Sequence, residues 1–340
     1  MKKFKIGILA LLLFSLTGCG NKSYIVDENN KPVQYELTGQ TLQKNILCKP
    51  VDKDLDALYE KYSDQLNISY DKLPQCSSFN INSNKSSGIW EGIFVKPLAF
   101  IILKLGYLMN NFGLAVILIG LAIRLILLPI SRKTQKQSNN MKKAQPELAR
   151  LEKKYANRTD QEAMMQKSQE MMMVYKKYKI SPFGSCLLAF IQLPLFFAFL
   201  QAINRTPAIF EDTFLGLILG RTPMVGLFTY HQWLYIVIIL LIIGTTYFSF
   251  KNAMKTSNSG NPEMDKQMNF MFKFMIIMIS VASLYLSTAI ALYWIATNAF
   301  VVLQNFIFKK LDEKGDKKEI IIKPKKEKKD NKKELKKRGK

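Results

Sequence analysis

Apolar residues along this chain are gathered into blocks rather than dispersed through amphipathic elements. Leu114 to Ile130 and Trp233 to Phe250 are two such blocks, and about 18 or more mostly apolar residues match the hydrocarbon thickness of a bilayer. The pattern predicts five strong spans, at about 112–131, 182–204, 232–250, 268–286 and 287–308. The last two form one apolar run of about forty residues, twice what a single span needs, so the chain must turn tightly near Ser283 to Thr288. A sixth stretch, 89–109, opens with Trp90-Glu91 and is interrupted by Lys96-Pro97 and Lys104.

Between the first two spans, residues 132–180 are too polar for lipid and too periodic for a loop. Met141, Leu148, Leu151 and Tyr155 recur at helical spacing, as do Met164, Met165, Met171, Met172 and Tyr175. Pro146 is expected to break the first arm. Asn157-Arg158-Thr159-Asp160 supplies the turn, with Asp160 as cap of the second helix. The result is an antiparallel helical hairpin. Its methionines either pack the two helices together or form an adaptable apolar surface for varied partners.

Charge decides the topology. The chain is 48% hydrophobic yet carries 49 Lys+Arg against 26 Asp+Glu, a formal charge of +23. A nucleic-acid binder would be as basic but would not need the apolar blocks. At the amino terminus, Lys2, Lys3 and Lys5 precede the apolar stretch Ile6 to Leu13, and Leu16-Thr17-Gly18-Cys19 follows. That tetrapeptide is similar to a bacterial lipobox, which implies a signal peptide over 1–18 and an acylated Cys19 anchoring the mature chain outside the cell. Residues 19–88 are then a small, partly irregular extracytoplasmic segment.

With that terminus outside, five spans place the tail inside and six place it outside. The tail, 309–340, holds 16 Lys+Arg against 7 acids, and the hairpin 13 against 5. The positive-inside rule therefore selects five. Residues 89–109 are then an amphipathic helix in the outer interface, and 309–340 a basic, disordered cytoplasmic tail. The expected fold is an all-α membrane protein: an interfacial helix, a five-span core over 110–308 and a cytoplasmic hairpin.

Candidate chemistry is sparse. With no CxxC pair and a single histidine, His231, a Cys/His metal site is not expected, nor is any cofactor. Cys48 and Cys76 share the extracytoplasmic segment, and the residues leave open whether they pair. No GxSxG, HExxH or Walker loop occurs, and no span holds a carboxylate, so an intramembrane enzyme is disfavoured. Arg124 stands out. It lies inside the first span, where an arginine costs about 2.5 kcal/mol or more on insertion scales. Either it snorkels to the inner interface or it lines a hydrated cavity, which Gln192, Thr297, Asn298 and Gln304 would share.

Taken together, residues 89–310 resemble the YidC family of membrane protein insertases. Ile123-Arg124-Leu125-Ile126-Leu127-Leu128-Pro129-Ile130 is similar to the family's first core span. Gln145-Pro146-Glu147-Leu148 and Met172-Met173-Val174-Tyr175-Lys176-Lys177 resemble its two hairpin arms. Ser181-Pro182-Phe183-Gly184-Ser185-Cys186, running into Gln192-Leu193-Pro194, is similar to the start of its next span, and Ala291-Leu292-Tyr293-Trp294-Ile295-Ala296-Thr297-Asn298 to its last. The resemblance implies a five-helix fold around a hydrophilic groove charged by Arg124, with Gln192, Trp294, Thr297 and Asn298 at groove positions. It implies an insertase and chaperone of the bacterial cell membrane that consumes no nucleotide and works as a monomer on nascent membrane proteins. Membrane lipids, the ribosome (through hairpin and tail) and the Sec translocon are its implied partners. The competing reading is a small-solute transporter or channel with Arg124 as the substrate-binding charge. The lack of repeat symmetry weakens it.

Overall fold

The structure, a computed structural model, describes residues 23–83, 88–158, 160–181, 187–256 and 262–337. The signal-peptide stretch with Cys19 lies outside the described residues, as do residues 182–186. What is described is an all-α membrane protein with two minor β-hairpins.

The segment 23–83 holds more order than its composition predicts. Strands β1 (Gln34–Tyr35) and β2 (Gln40–Thr41) pair antiparallel, and α1 (Lys53–Lys61) is capped by Asp52, which accepts from the N–H groups of Asp54 and Leu55. Ile25, Leu42, Ile46, Leu55, Tyr59, Tyr70 and Leu73 form a small core. Cys48 and Cys76, left open above, are joined in a disulfide that encloses this core's second half. The core went unread because its apolar residues sit one at a time between polar ones, with neither helical nor strand period.

Helix α2 (Glu91–Met109) begins with a π turn over Glu91–Val95. It ends at Asn110, whose left-handed backbone (φ 49°) is a conformation asparagine tolerates better than most residues. Asn111 then caps the next helix, α3 (Phe112–Ile126), by accepting from the Leu114 N–H at 2.7 Å. Gly106 makes the reversal fit: a Cβ there would lie 2.1 Å from the Phe112 ring. By length and apolar character, α2 is one of three described helices able to cross a membrane.

Beyond α3 the chain bends by 57° at Leu127 into α4 (Leu128–Tyr155). Pro146, expected to break this arm, lies inside the helix. It removes one backbone hydrogen bond, but Ala144, Leu148 and Leu151 flank it within the hairpin core and hold the helix continuous. Helix α5 (Gln161–Lys177) starts as predicted at Asp160, whose carboxylate accepts from Ala163. Lys177–Glu147, Lys167–Glu152 and Lys154–Glu170 pairs fix the antiparallel register. Met141 and Met171 pack against the core, whereas Met164, Met165, Met172 and Met173 are exposed.

The remaining elements are α6 (Leu187–Asn204), α7 (Pro207–Glu211), the hairpin β3 (Thr213–Phe214) and β4 (Leu217–Ile218), α8 (Pro223–Phe228), α9 (Leu234–Thr256), α10 (Pro262–Ala282) and α11 (Thr288–Lys337). The break between α10 and α11 falls where the forty-residue apolar run was expected to turn. Helix α11 continues through the stretch predicted to be a disordered tail. Lysine and glutamate are both strong helix formers, and this segment is rich in them.

The chain divides into two compact units. The first gathers residues up to Ile119, Gln192–Leu240 and Val281–Tyr293; the second gathers Gly120–Ile191, Leu241–Ser280 and the chain from Trp294. Within the first unit, the start of α2 and the first residue of α3 touch the segment 201–214. Trp90 donates to Gln201 at 3.1 Å and Glu91 pairs with Arg205 at 3.1 Å, while past the other end the Phe112 N–H donates to Asp212 at 2.7 Å.

Candidate functional site

The second unit contains a polar cluster on helices that are otherwise apolar. Helix α9 contributes Thr246, which is 1% exposed, and Ser249 one turn further on. Helix α11 contributes Trp294, Thr297 and Asn298 at helical spacing. The Thr246 hydroxyl accepts from both Trp294 Nε1 (3.0 Å) and Asn298 Nδ2 (3.3 Å), and Ser249 Oγ donates to Asn298 Oδ1 (3.2 Å). Thr297 Oγ1 turns back to the Trp294 carbonyl at 3.3 Å. A threonine that accepts twice ties two membrane helices together through groups that pure hydrocarbon could not satisfy.

Arg124 belongs to the same unit, half-buried in the last turn of α3. Its surroundings differ from the expectation. The sequence places it inside the first span, but α3 stops at Ile126 and the 57° bend follows at once. A cation in a final turn is favoured by the helix dipole, so the bend reduces the cost of placing charge there. Six residues beyond the bend-side end of α3, Arg132 stacks over Phe308 at 4.8 Å and pairs with Asp312, which also accepts from Asn139 at 2.6 Å. This clasp between α4 and α11 was not foreseen, although Arg132 and Asp312 both flank apolar blocks.

Gln192 lies in the first unit, half-buried, and its Oε1 is shielded from solvent with no hydrogen-bond partner among the described residues. The structure therefore brings together Trp294, Thr297 and Asn298, places Arg124 in their unit, and leaves Gln192 outside that unit. Gln304, also proposed to line a cavity, is 8% exposed. Thr246 and Ser249 were missed. Their signal was available: hydroxyl residues in the Gly244-Thr245-Thr246 and Phe248-Ser249 stretches of an apolar span.

The few bases of the segment 205–231 prove to be internal. Arg205 is 4% exposed, paired with Glu91 and donating to the Asn45 carbonyl; burial alone pushes its pKa down, while Glu91 pulls it back up. Arg221 is 3% exposed, donates to Leu37 O and Gln232 Oε1, and stacks on Tyr230 at 3.7 Å. Glu211 accepts from the N–H groups of Val51 and Asp52, although burial raises its pKa. These groups dock the amino-terminal domain, residues 23–83. Among the described residues no cluster of three or more His, Cys, Asp or Glu side chains is arranged to hold a metal ion.

Comparison with known proteins agrees with this architecture. The family described as "60Kd inner membrane protein" matches residues 104–316. A membrane protein insertase YidC of Oceanobacillus iheyensis is 35% identical over 246 residues, which cover 70% of this chain and 91% of that protein. A membrane protein insertase YidC 2 of Bacillus anthracis is 35% identical over 234 residues, covering 68% and 86%. The membrane protein insertase MisCA of Bacillus subtilis is 33% identical over 230 residues, covering 67% and 82%.

Proposed function

The chain belongs to the YidC family of membrane protein insertases, and from that premise we propose how its residues insert a substrate. It is a membrane protein insertase. The observation that carries the mechanism is the second unit's combination of a cationic final turn, Arg124, with the Thr246–Trp294–Asn298 cluster on neighbouring apolar helices.

In our reading these groups line a hydrophilic groove that opens to the cytoplasm and to lipid. An incoming apolar segment slides along the lipid-facing side of the helices. Its short polar or acidic tail rests near Arg124, where the positive charge offsets part of the cost of leaving water. Nothing is consumed; the hydrophobic transfer of the segment drives the step. Gln192 is assigned to the same groove on the family resemblance alone.

Five spans then serve the core, counting the bent α3–α4 pair as one and including the shorter apolar helices of α6 and α10. Helix α2 lies in the outer interface. Its start is tied to Gln201 and Arg205, and the reversal that follows it to Asp212, all within segment 201–214, which favours a helix lying in that segment's layer. The lipid anchor at Cys19, the amino terminus outside and the carboxyl terminus inside belong to the same reading. So do binding of the ribosome through hairpin and tail, cooperation with the Sec translocon, and action as a monomer.

The test is to deplete the protein and follow insertion of a one-span substrate with an acidic translocated tail, restoring wild type, Arg124→Lys or Arg124→Ala. Insertion is expected to return fully with wild type, partly with lysine and poorly with alanine. Full rescue by Arg124→Ala would remove the role given to that charge. Normal insertion without any form of the protein would remove the insertase role for that substrate.

A further inference from the structure

The first unit holds a cleft of about 500 Å³ between the amino-terminal domain and the segments that precede α8 and α11. Its polar lining includes Gln34, Gln40, Gln43, Asn204, Thr222 and Ser287. Two of these oxygens are notable. Ser287 is 2% exposed, and its Oγ has no hydrogen-bond partner among the described residues; Gln40 Oε1 is likewise buried and unpartnered. Both atoms are closed off from water, so a ligand in the cleft meets instead the exposed side chain of Gln34 and the half-buried one of Gln43. Gln34 and Pro32 are exposed, which leaves the cleft open to solvent at that edge.

The lining chemistry narrows the ligand. None of the described residues that line the cleft carries a formal charge. Phosphate and carboxylate ligands are held by charged or charge-assisted donors, so a lipid headgroup or a free anion is a poor match. Side-chain amides offer a donor and an acceptor at once. A polypeptide in extended form presents the complementary pair, a free N–H and a free C=O, at every residue. Met224, Val225 and Ile290 supply the apolar part of the lining, and methionine adapts to side chains of different shape. Such a surface grips backbone and tolerates sequence.

We propose that this cleft receives an extended, uncharged stretch of newly translocated polypeptide on the outer side of the membrane. The proposal rests on the insertase reading and on the orientation given above. It adds a second contact to the reaction: once the tail has left the groove, the cleft holds it and disfavours its return.

Photo-crosslinking in the full-length protein tests this. A benzophenone amino acid replaces Gln34 or Gln43 within the cleft, or Lys72 at an exposed position outside it. The substrate is a one-span protein with a Ser/Gly/Asn tail, arrested on the ribosome after the tail has crossed. Adducts between the tail and either cleft position are expected in clear excess over those at Lys72. Gln43→Leu with the probe at Gln34, and Gln34→Leu with the probe at Gln43, should each lower that yield about fivefold, the equivalent of one lost hydrogen bond, with the tail still protected from cytoplasmic protease. If the tail crosses but cleft adducts do not exceed the Lys72 level, or neither substitution changes them, the inference is overturned and the insertase reading stands. Adducts to a glycan instead of polypeptide overturn it as well. A tail that crosses equally in cells lacking the protein removes the reading and the inference together.

Discussion

At the scale of single residues, the second unit turns on Thr246. One hydroxyl accepts from Trp294 and Asn298, so Thr246→Val, nearly equal in volume, removes the acceptor while keeping the packing. The variant is expected to lose about 1–3 kcal/mol, the cost of leaving buried donors unsatisfied, read as a lower melting temperature in detergent. Thr246→Ser should recover most of the loss; equal melting of all three forms would show that the cluster adds no stability. Glu211 offers a second residue-scale test. Burial holds its pKa above the usual carboxylate value, outweighing the N–H groups of Asp52 and Val51. The folded protein then keeps a proton that the unfolded chain releases. The favourable contribution is full below the unfolded pKa and is lost as pH rises through the folded one. Glu211→Gln keeps an acceptor oxygen and cannot ionise. Wild-type stability should therefore fall relative to the variant as pH rises above the ordinary carboxylate pKa, and parallel curves would refute the assignment. Arg124 was legible in the sequence because one charge in an apolar block is conspicuous. Thr246 was visible only as one of several hydroxyls in an apolar span; a threonine there is usually satisfied by its own helix, and only the fold shows which neighbour it meets.

At the scale of elements, legibility followed periodicity. The hairpin was readable because Leu148, Leu151 and Tyr155 repeat at helical spacing and Asp160 is a strong cap; the structure keeps both. The exposed Met164, Met165, Met172 and Met173 favour the adaptable surface over simple packing. Pro146 misled because a proline rule is local, whereas the packing on either side of it is not. The amino-terminal domain was illegible for the opposite reason: its core comes from scattered residues and a cross-link. Joining Cys48 to Cys76 closes a loop with a sequence separation of 28, and chain-entropy arguments give about 3–4 kcal/mol for a loop of that size. A Cys48→Ser, Cys76→Ser variant should melt that domain first, seen as faster amide exchange at Ile46, Leu55 and Tyr59 with exchange in the α4–α5 hairpin unchanged. Equal protection in both forms would mean that the small apolar core suffices alone.

At the scale of the whole molecule, net charge and spans constrain each other. The chain carries +23, and the hairpin and tail hold most of that excess. The two arginines of segment 205–231 are consumed internally by Glu91, Gln232 and backbone carbonyls, so they are not free loop charges competing for the cytoplasmic side. This strengthens five spans over six, yet α2 is long and apolar enough to be counted as a span. The two topologies separate at Asn110, which is exposed at the end of α2. If α2 lies in the outer interface, both it and the start of α3 face outward. If α2 crosses, Asn110 is cytoplasmic and every later segment is inverted, which puts 13 Lys+Arg of the hairpin outside. Short segments translocate poorly against such a bias, at several kcal/mol for each buried cation. Asn110→Cys, in a chain whose other accessible cysteines are replaced by serine, should therefore react with a membrane-impermeant maleimide in intact cells. A cysteine placed at exposed Lys153 should react only after permeabilisation. Labelling in the reverse pattern would make α2 a true span and move the polar groove to the other face of the membrane. Labelling of both positions in intact cells would show that the chain adopts both orientations, and charge would no longer account for its topology.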